Sequence, residues 1–290
     1  MLLATLKEIR TYQWVKNILI FVPLVLSHAY TNKLLVTDSI IAFIAFSLCA
    51  SSVYVINDLC DVESDRSHPV KKYRPIAAGL ISIFYAKVLA LFLFSVSLAI
   101  AFTLNQEFLM VFSSYFLLTL VYSFALKAIA IVDVLILGSL YTLRVIAGVV
   151  VIKDEISYWL IVFSLFVFFS LALLKRFTEL KNLQARNKTS GDGRGYVVGD
   201  LNLLLIMGTI SSYISVLVVA LYIHDPVMIV KYSTPMWLWV VIPAMLYWLS
   251  RVWLIANRGE LNEDPVLFAV RDKVSYLVML VCLFSVILAI

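Results

Sequence analysis

Nine apolar runs divide this chain, at approximately residues 14–30, 38–56, 82–104, 108–126, 130–151, 157–174, 201–223, 235–256 and 273–290. Each approaches the roughly 20 residues that a helix needs to cross a bilayer. In lipid the backbone must satisfy its own hydrogen bonds, so only helices and closed barrels can span. The runs are continuous rather than alternating, which argues against a barrel. The expectation is an all-α, polytopic membrane protein with nine transmembrane helices. Composition agrees. The chain is 63% hydrophobic and 14% charged, more apolar surface than a soluble domain of 290 residues can bury. The first run is the least regular, because Lys16 and Asn17 interrupt its start. It does not read as a cleaved signal peptide, since no small-residue cleavage site follows it. Residues 1–290 read as a single transmembrane domain with no soluble domain, low-complexity tract or long linker.

Basic residues set the orientation. With the N-terminus inside, the cytoplasmic segments hold eighteen of the 23 Lys and Arg residues, whereas Lys33, Lys153 and Lys231 alone fall outside. Lys87 and Arg144 lie within spans. This predicts a cytoplasmic N-terminus and an external C-terminus. Anionic phosphate substrates would demand part of the same bias. The three cysteines, Cys49, Cys60 and Cys282, form neither a disulfide framework nor a metal spacing. No nucleic-acid partner is expected.

The most chemically pointed segment follows the second run. Asn57-Asp58-Leu59-Cys60-Asp61-Val62-Glu63-Ser64-Asp65 carries four acids in eight residues. On one helix Asp58, Asp61 and Asp65 would fall within about 60° of one another. Three carboxylates on one face repel and call for a cation. Mg²⁺ prefers a few carboxylates together with phosphate oxygens, so an ion held by Asn57, Asp58, Asp61 and Asp65 on a diphosphate is the natural reading. The bland alternative is a solvated charged loop closed by internal ion pairs. His68-Pro69-Val70-Lys71-Lys72-Tyr73-Arg74-Pro75 follows directly, and Lys71 and Arg74 supply fixed positive charge. His68 reads as a supporting or phosphate-contacting group, because one histidine among carboxylates is poor evidence for zinc.

Other polar groups gather at the predicted cytoplasmic ends. Lys175, Arg176 and Glu179 close the sixth run, where i+3 and i+4 pairing accounts for part of the pattern. A glycine-rich segment follows, Gly191-Asp192-Gly193-Arg194-Gly195-Tyr196, which either covers an anionic ligand or only connects two spans. Gln13-Trp14-Val15-Lys16-Asn17 opens the first run. Trp14 suits an interface and Lys16 can snorkel, but Gln13, Lys16 and Asn17 also suit a phosphate. Tyr122 and Lys127 lie near the end of the fourth run. Asp133 begins the fifth, and Arg144 lies eleven residues on, about 16 Å away along a helix, so the two cannot pair directly. An unpaired arginine in mid-span costs about 2.5–3.5 kcal/mol, so Arg144 should face a polar interior or hydrogen-bond another helix.

These residues also carry a resemblance. Asn57-Asp58-x-x-Asp61-x-x-x-Asp65 resembles the first aspartate-rich motif of the UbiA superfamily of intramembrane prenyltransferases. His68-Pro69-x-Lys71-x-x-Arg74-Pro75, Gln13-Trp14-x-Lys16-Asn17, Tyr122-Ser123-x-x-Leu126-Lys127, Asp133-Val134, Leu143-Arg144-x-x-Ala147-Gly148 and Lys175-Arg176-x-x-Glu179-Leu180 are similar to the branch of decaprenyl-phosphate phosphoribosyltransferases. The resemblance runs from about residue 8 to 285. It implies nine helices around a central chamber open to the cytoplasm, in the inner membrane of a bacterium. It implies transfer of 5-phosphoribose from phosphoribosyl pyrophosphate to a polyprenyl phosphate, with Mg²⁺ as cofactor and pyrophosphate leaving, toward a cell-envelope glycolipid precursor. Some relatives carry an extra phosphatase-like domain that this sequence lacks, so a later dephosphorylation is expected to need a separate protein.

In that scheme Asp58, Asp61, Asp65 and Asp133 are the catalytic candidates. Gln13, Lys16, Asn17, Asn57, His68, Lys71, Arg74, Tyr122, Lys127, Arg144, Lys175, Arg176, Glu179 and Arg194 are the substrate-binding candidates. Aromatic-prenylating members usually hold a second aspartate-rich motif between the sixth and seventh spans. Here Lys175, Arg176 and Glu179 stand in that place, which suits substrates with additional phosphates. Two alternatives stay open. One is transfer of an isoprenyl group from its diphosphate to an aromatic or quinone acceptor. The other is a non-enzymatic lipid-binding or transport protein, which would place its ionisable groups nearer the midplane.

Overall fold

A computed structural model describes residues 2–68, 70–189, 194–225, 232–261 and 264–290. Its helices are α1 (Leu2–Glu8), α2 (Val22–Leu26), α3 (Lys33–Cys60), α4 (Val62–Ser67), α5 (Ile83–Ala101), α6 (Gln106–Phe124), α7 (Val132–Val151), α8 (Tyr158–Ala185), α9 (Leu201–Ile223), α10 (Val241–Asn257), α11 (Pro265–Ala269) and α12 (Lys273–Ala289). Short 3₁₀ segments join several of them. Thr11–Phe21 runs into α2, and Pro235–Val240 runs into α10.

The all-helical membrane architecture is as expected, but the count of crossings is not nine by length. Among the described residues seven helical segments are long and apolar enough to span: α3, α5, α6, α7, α8, Val198–Ile223 and Pro235–Asn257. The first and ninth runs form the shorter apolar segments Thr11–Leu26 and Lys273–Ala289. The first is mostly 3₁₀ in character, because Lys16 and Asn17 are buried and bonded there rather than presented on an apolar α-helical surface.

Local chemistry sets the helix starts. Asn32 accepts from the amides of Leu34 and Leu35 at the start of α3. Ser82 accepts from Tyr85 N at α5, and Asn105 from Phe108 N at α6. Asp272 accepts from Ser275 N at α12. These side chains satisfy amides that a helix N-terminus leaves without partners. The sixth apolar run ends at 174, yet α8 continues to Ala185. Its charges pair within the protein instead of ending the helix.

The chain divides into two compact units, Met1–Ala125 with Leu143–Ile156, and Leu126–Thr142 with Ser157–Ile290. In the first, Phe46 packs against Phe108, Phe112 and Tyr115 with centroids 4.9–5.7 Å apart. Ser52 Oγ donates to Ala90 O and ties α3 to α5 at 2.8 Å. A methyl group at Gly148 would overlap the backbone carbonyl oxygen of Ile20. In the second unit, Ser170 Oγ donates to Gly208 O at 2.7 Å and accepts from Trp253 Nε1 at 3.1 Å. A methyl group at Gly208 would overlap the Trp253 ring. Close approach at small residues is how apolar helices gain contact where lipid offers no hydrophobic drive.

Candidate active site

The acidic motif lies in the first unit, but not on one helix. The chain leaves helical geometry at Asp61 (φ −93°, ψ 6°) and α4 begins at Val62. The expected single carboxylate face is therefore split. Asp58 and Asp65 are buried at 3% and 1% exposure, while Asp61 at the break is half-buried. Asn57 accepts the Asp61 amide through its backbone carbonyl.

Two arginines join the buried pair. Arg74 Nη1 donates to Asp58 Oδ1 at 2.9 Å and Asp65 Oδ2 at 2.6 Å. Arg10 Nη2 donates to both Asp58 oxygens, at 2.7 and 2.5 Å, and its guanidinium lies 5.0 Å from the Tyr54 ring centroid. Lys71 Nζ stands 4.0 Å from Asp65 Oδ1. That oxygen is buried and makes no hydrogen bond among the described residues. Charge-assisted contacts of this kind are about twice as strong as neutral ones.

Contacts of the N-terminal segment with α3, and a local turn at His68, place these groups. Trp14 Nε1 donates to Ser51 Oγ at 2.9 Å, and Ser51 Oγ donates to Ile9 O at 2.7 Å, strapping the N-terminal segment to α3. Arg10 itself adopts a left-handed conformation, φ 50°. Non-glycine residues hold such conformations only where surroundings over-determine them. His68 Nδ1 accepts from the amides of Val70 and Lys71, both at 3.2 Å, so His68 shapes the turn that delivers Lys71 and Arg74. Ile76 and Ile81 anchor that turn on Val55, Ala86, Ala90 and Leu93.

Glu8 also belongs to this cluster and was not anticipated. It is 1% exposed, and neither carboxyl oxygen makes a hydrogen bond among the described residues. Burial, then the neighbouring Asp58 charge, pushes its carboxyl up to about 7. By sequence Arg10 is one of the eighteen basic residues of the predicted cytoplasmic segments. A lone acid, Glu8, set between Lys7 and Arg10 just ahead of Gln13-Trp14 was the available signal.

Deeper in the same unit, Arg144 Nε donates to Asn17 Oδ1 at 2.8 Å and Arg144 Nη2 to Tyr115 OH at 2.8 Å. Asn17 Nδ2 donates to Ser47 Oγ at 2.9 Å. The interhelix hydrogen bond anticipated for Arg144 is thus observed, and Asn17 is part of it. Lys16 is buried, and Gln13 Oε1 is buried without a hydrogen-bond partner among the described residues. Tyr122 is half-buried near the end of α6.

The second unit contains a separate cluster around Asp133, which is fully buried. Arg176 Nε donates to Asp133 Oδ2 at 2.5 Å, and Arg194 Nη1 stands 3.7 Å from the same oxygen. Tyr196 OH donates to Asp133 Oδ1 at 2.5 Å and accepts from Ile131 N at 2.7 Å. Arg176 Nη1 also donates to Glu179. Lys175 pairs with Asp264 at 3.5 Å rather than with Glu179. Lys127 sits half-buried in the 3₁₀ turn Leu126–Ala128. Gly191, Asp192 and Gly193, together with Pro69 and Lys231, lie outside the described residues.

Among the described residues no three His, Cys, Asp or Glu side chains converge as a ready metal site. The Asp58–Asp65 pair still fits Mg²⁺. Both carboxylates already reach one guanidinium nitrogen, and Asp65 keeps a buried oxygen without a hydrogen bond. Mg²⁺ characteristically takes one or two carboxylates and completes its shell with phosphate and water.

Comparison with known proteins bears on this arrangement. Residues 18–288 match the UbiA prenyltransferase family. The chain is 40% identical to the uncharacterized protein y4nM of Sinorhizobium fredii over 94% of its own length and 53% of that protein's. It is 30% identical to nodulation protein NoeC of Azorhizobium caulinodans, covering 94% of this chain and 88% of NoeC. It is 38% identical to the decaprenyl-phosphate phosphoribosyltransferase of Mycobacterium tuberculosis, over 61% of this chain and 60% of that one. The chain thus spans only about half to three-fifths of the length of the first and third of these relatives. The fold is similar to that of a UbiA homolog from Archaeoglobus fulgidus solved with GPP and Mg²⁺. The TM-score is 0.72 at 16% identity, covering 98% of this chain and 99% of the other. A multi-helix membrane fold, an aspartate motif at a helix end and a match over nearly the whole length agree: the chain belongs to the UbiA prenyltransferase family of membrane enzymes.

Proposed function

We propose that the chain transfers 5-phosphoribose from phosphoribosyl pyrophosphate to a polyprenyl phosphate and releases pyrophosphate. The observation that carries the reading is the charge of the two clusters. The first mixes buried carboxylates with Arg10, Lys71 and Arg74, and the second sets Arg176 and Arg194 beside Asp133, with Glu179 also paired to Arg176, so that arginines stand where a second acidic clamp would. The similarity to decaprenyl-phosphate phosphoribosyltransferases supports the same choice.

Loss of pyrophosphate from an anomeric carbon builds negative charge on the leaving group and positive charge on the ribose ring. Asp58 and Asp65, with Asn57 and Asp61 beside them, are the residues that would hold Mg²⁺. The ion would supply positive charge to the diphosphate. Lys71 and Arg74 neutralise the remaining diphosphate oxygens, Arg74 being able to engage two at once. The acceptor phosphate is already anionic, so no strong general base is needed. Lys16, Lys127, Lys175 and Arg176 are the pool for the acceptor and ribose phosphates. Asp133 orients ribose hydroxyls or offsets the ring's developing charge. The basic bias of the predicted cytoplasmic segments supports a cytoplasmic supply of the soluble donor.

The test is direct. Purified protein with Mg²⁺, labelled phosphoribosyl pyrophosphate and polyprenyl phosphate should yield a labelled lipid. Prenylation of an aromatic acceptor from a polyprenyl diphosphate, with the phosphoribosyl donor untouched, would replace this reading with the isoprenyl-transfer one.

A further inference from the structure

Tyr196 is 3% exposed, although it lies in the connection between α8 and α9, where most side chains face solvent. Its hydroxyl has two partners within the second unit. It accepts from the Ile131 amide and donates to Asp133 Oδ1, at 2.7 and 2.5 Å. Ile131 carries φ +67°, unusual for a β-branched residue, and immediately precedes α7. Gly195 seats the segment still closer. A Cβ there would stand 2.6 Å from Ala128 O and 2.9 Å from Ala130 N. Arg194, next in line, stands 3.7 Å from Asp133 Oδ2. Burial, then the hydrogen bond to Asp133, raises the Tyr196 phenol above its ordinary range, so the hydroxyl remains a donor at neutral pH.

We propose that Tyr196 is a positioning residue, a latch that docks residues 194–196 on the start of α7. It fixes the Asp133 carboxylate so that Arg176 and Arg194 are presented in register to a phosphate-bearing substrate. The segment is a working part rather than only a connection between spans. Asp133 has two oxygens. Tyr196 holds one, and the other faces both arginines. Without the hydroxyl, one carboxylate oxygen and one backbone amide lose their partners together, and the carboxylate is free to turn away from the arginines. This inference rests on the phosphoribosyl reading for its substrate, but not for the latch.

The experiment uses Tyr196→Phe, which keeps the ring and deletes the hydroxyl, and Gly195→Ala, which keeps the hydroxyl and pushes the segment off Ala128. A reporter cysteine at Ala130, which is half-buried against Gly195, present in parent and variants, gives a readout independent of substrate. In both variants the cysteine should label several-fold faster. KM for phosphoribosyl pyrophosphate should rise roughly 10-fold, with kcat changed far less. Tyr196→Phe should raise the labelling rate less in an Asp133→Ala background than in the parent, because the Tyr196–Asp133 hydrogen bond is already gone there and only the Ile131 amide contact remains to lose. Unchanged labelling with unchanged KM overturns the inference, as does faster labelling with unchanged KM, which would make Tyr196 structural only. If Tyr196→Phe does not fold, Gly195→Ala decides by the same two readouts. A parent protein that does not consume the phosphoribosyl donor sinks the functional reading instead, and is recognised before any variant is compared.

Discussion

Replacing Arg74 with alanine should destabilise the protein most when no divalent ion is present. Arg74 Nη1 is the shared donor between Asp58 and Asp65, whose side chains are 4% and 2% exposed. Asp58 would retain Arg10, but Asp65 would be left with Lys71 at 4.0 Å. Removing one partner of a buried pair costs about 3–5 kcal/mol. Arg74 is itself 28% exposed, which places the expected loss near the lower end, about 2–4 kcal/mol. Most of this is the cost of an uncompensated Asp65, so Asp65→Asn in the same chain should recover about half or more. The assay is equilibrium unfolding by denaturing detergent in mixed micelles, run with chelator and again with saturating Mg²⁺ alone. The deficit should shrink with Mg²⁺, because the ion takes over the charge that Arg74 offsets. A loss below about 1 kcal/mol in chelator, or an equal loss with Asp65→Asn present, would refute the argument that Arg74 holds the carboxylates together.

The other expectations are more compact. Chelation should abolish turnover and Mg²⁺ or Mn²⁺ restore it, and Asp58→Ala, Asp61→Ala and Asp65→Ala should each lose most activity; full activity in all three removes the metal-diphosphate reading. Glu8 is raised from an ordinary 4.5 to about 7, so the fold favours its protonated form; that contribution is complete below about 4.5 and is lost as pH rises through 7. In chelator, Glu8→Gln should therefore match the parent near pH 5 and be the more stable near pH 8, read as the difference in melting temperature at each pH; identical pH profiles would show that Glu8 does not carry the effect. A cysteine at Ser64 should label only from the cytoplasmic side and one at Asn32 only from outside, and external labelling at Ser64 would reverse the assigned orientation.

Hydropathy located most helices to within a few residues. The runs at 82–104, 130–151 and 201–223 became Ile83–Ala101, Val132–Val151 and Leu201–Ile223. Where hydropathy failed, buried charge was the reason. The sixth run appeared to stop at Lys175 and Arg176, yet α8 carries both onward because Asp133, Glu179 and Asp264 neutralise them. That Asp58 and Asp65 come together was legible from spacing alone, but the break at Asp61 was not, since no proline or glycine marks it. Lys71 and Arg74 were legible as positive charge for a phosphate, whereas the structure pairs them with Asp58 and Asp65, as in the alternative of internal ion pairs. Glu8 and Arg10 were not, because they reach Asp58 across about fifty residues of sequence and no local period reveals that. Tyr196 was noticed only as part of a glycine-rich connection. Its buried hydroxyl depends on where α7 begins.

Gly148 and Gly208 carry different consequences for how this chain can vary among its descendants. At Gly208 the obstacle is a side chain, so a lineage can trade a methyl group at 208 for a smaller ring at 253. Those two columns should change together. At Gly148 the obstacle is the carbonyl of Ile20, which every residue type possesses, so no substitution at position 20 makes room. Position 148 should stay glycine even where its neighbours have drifted beyond recognition, and a lineage that loses it must move the backbone between Thr11 and Phe21 to survive.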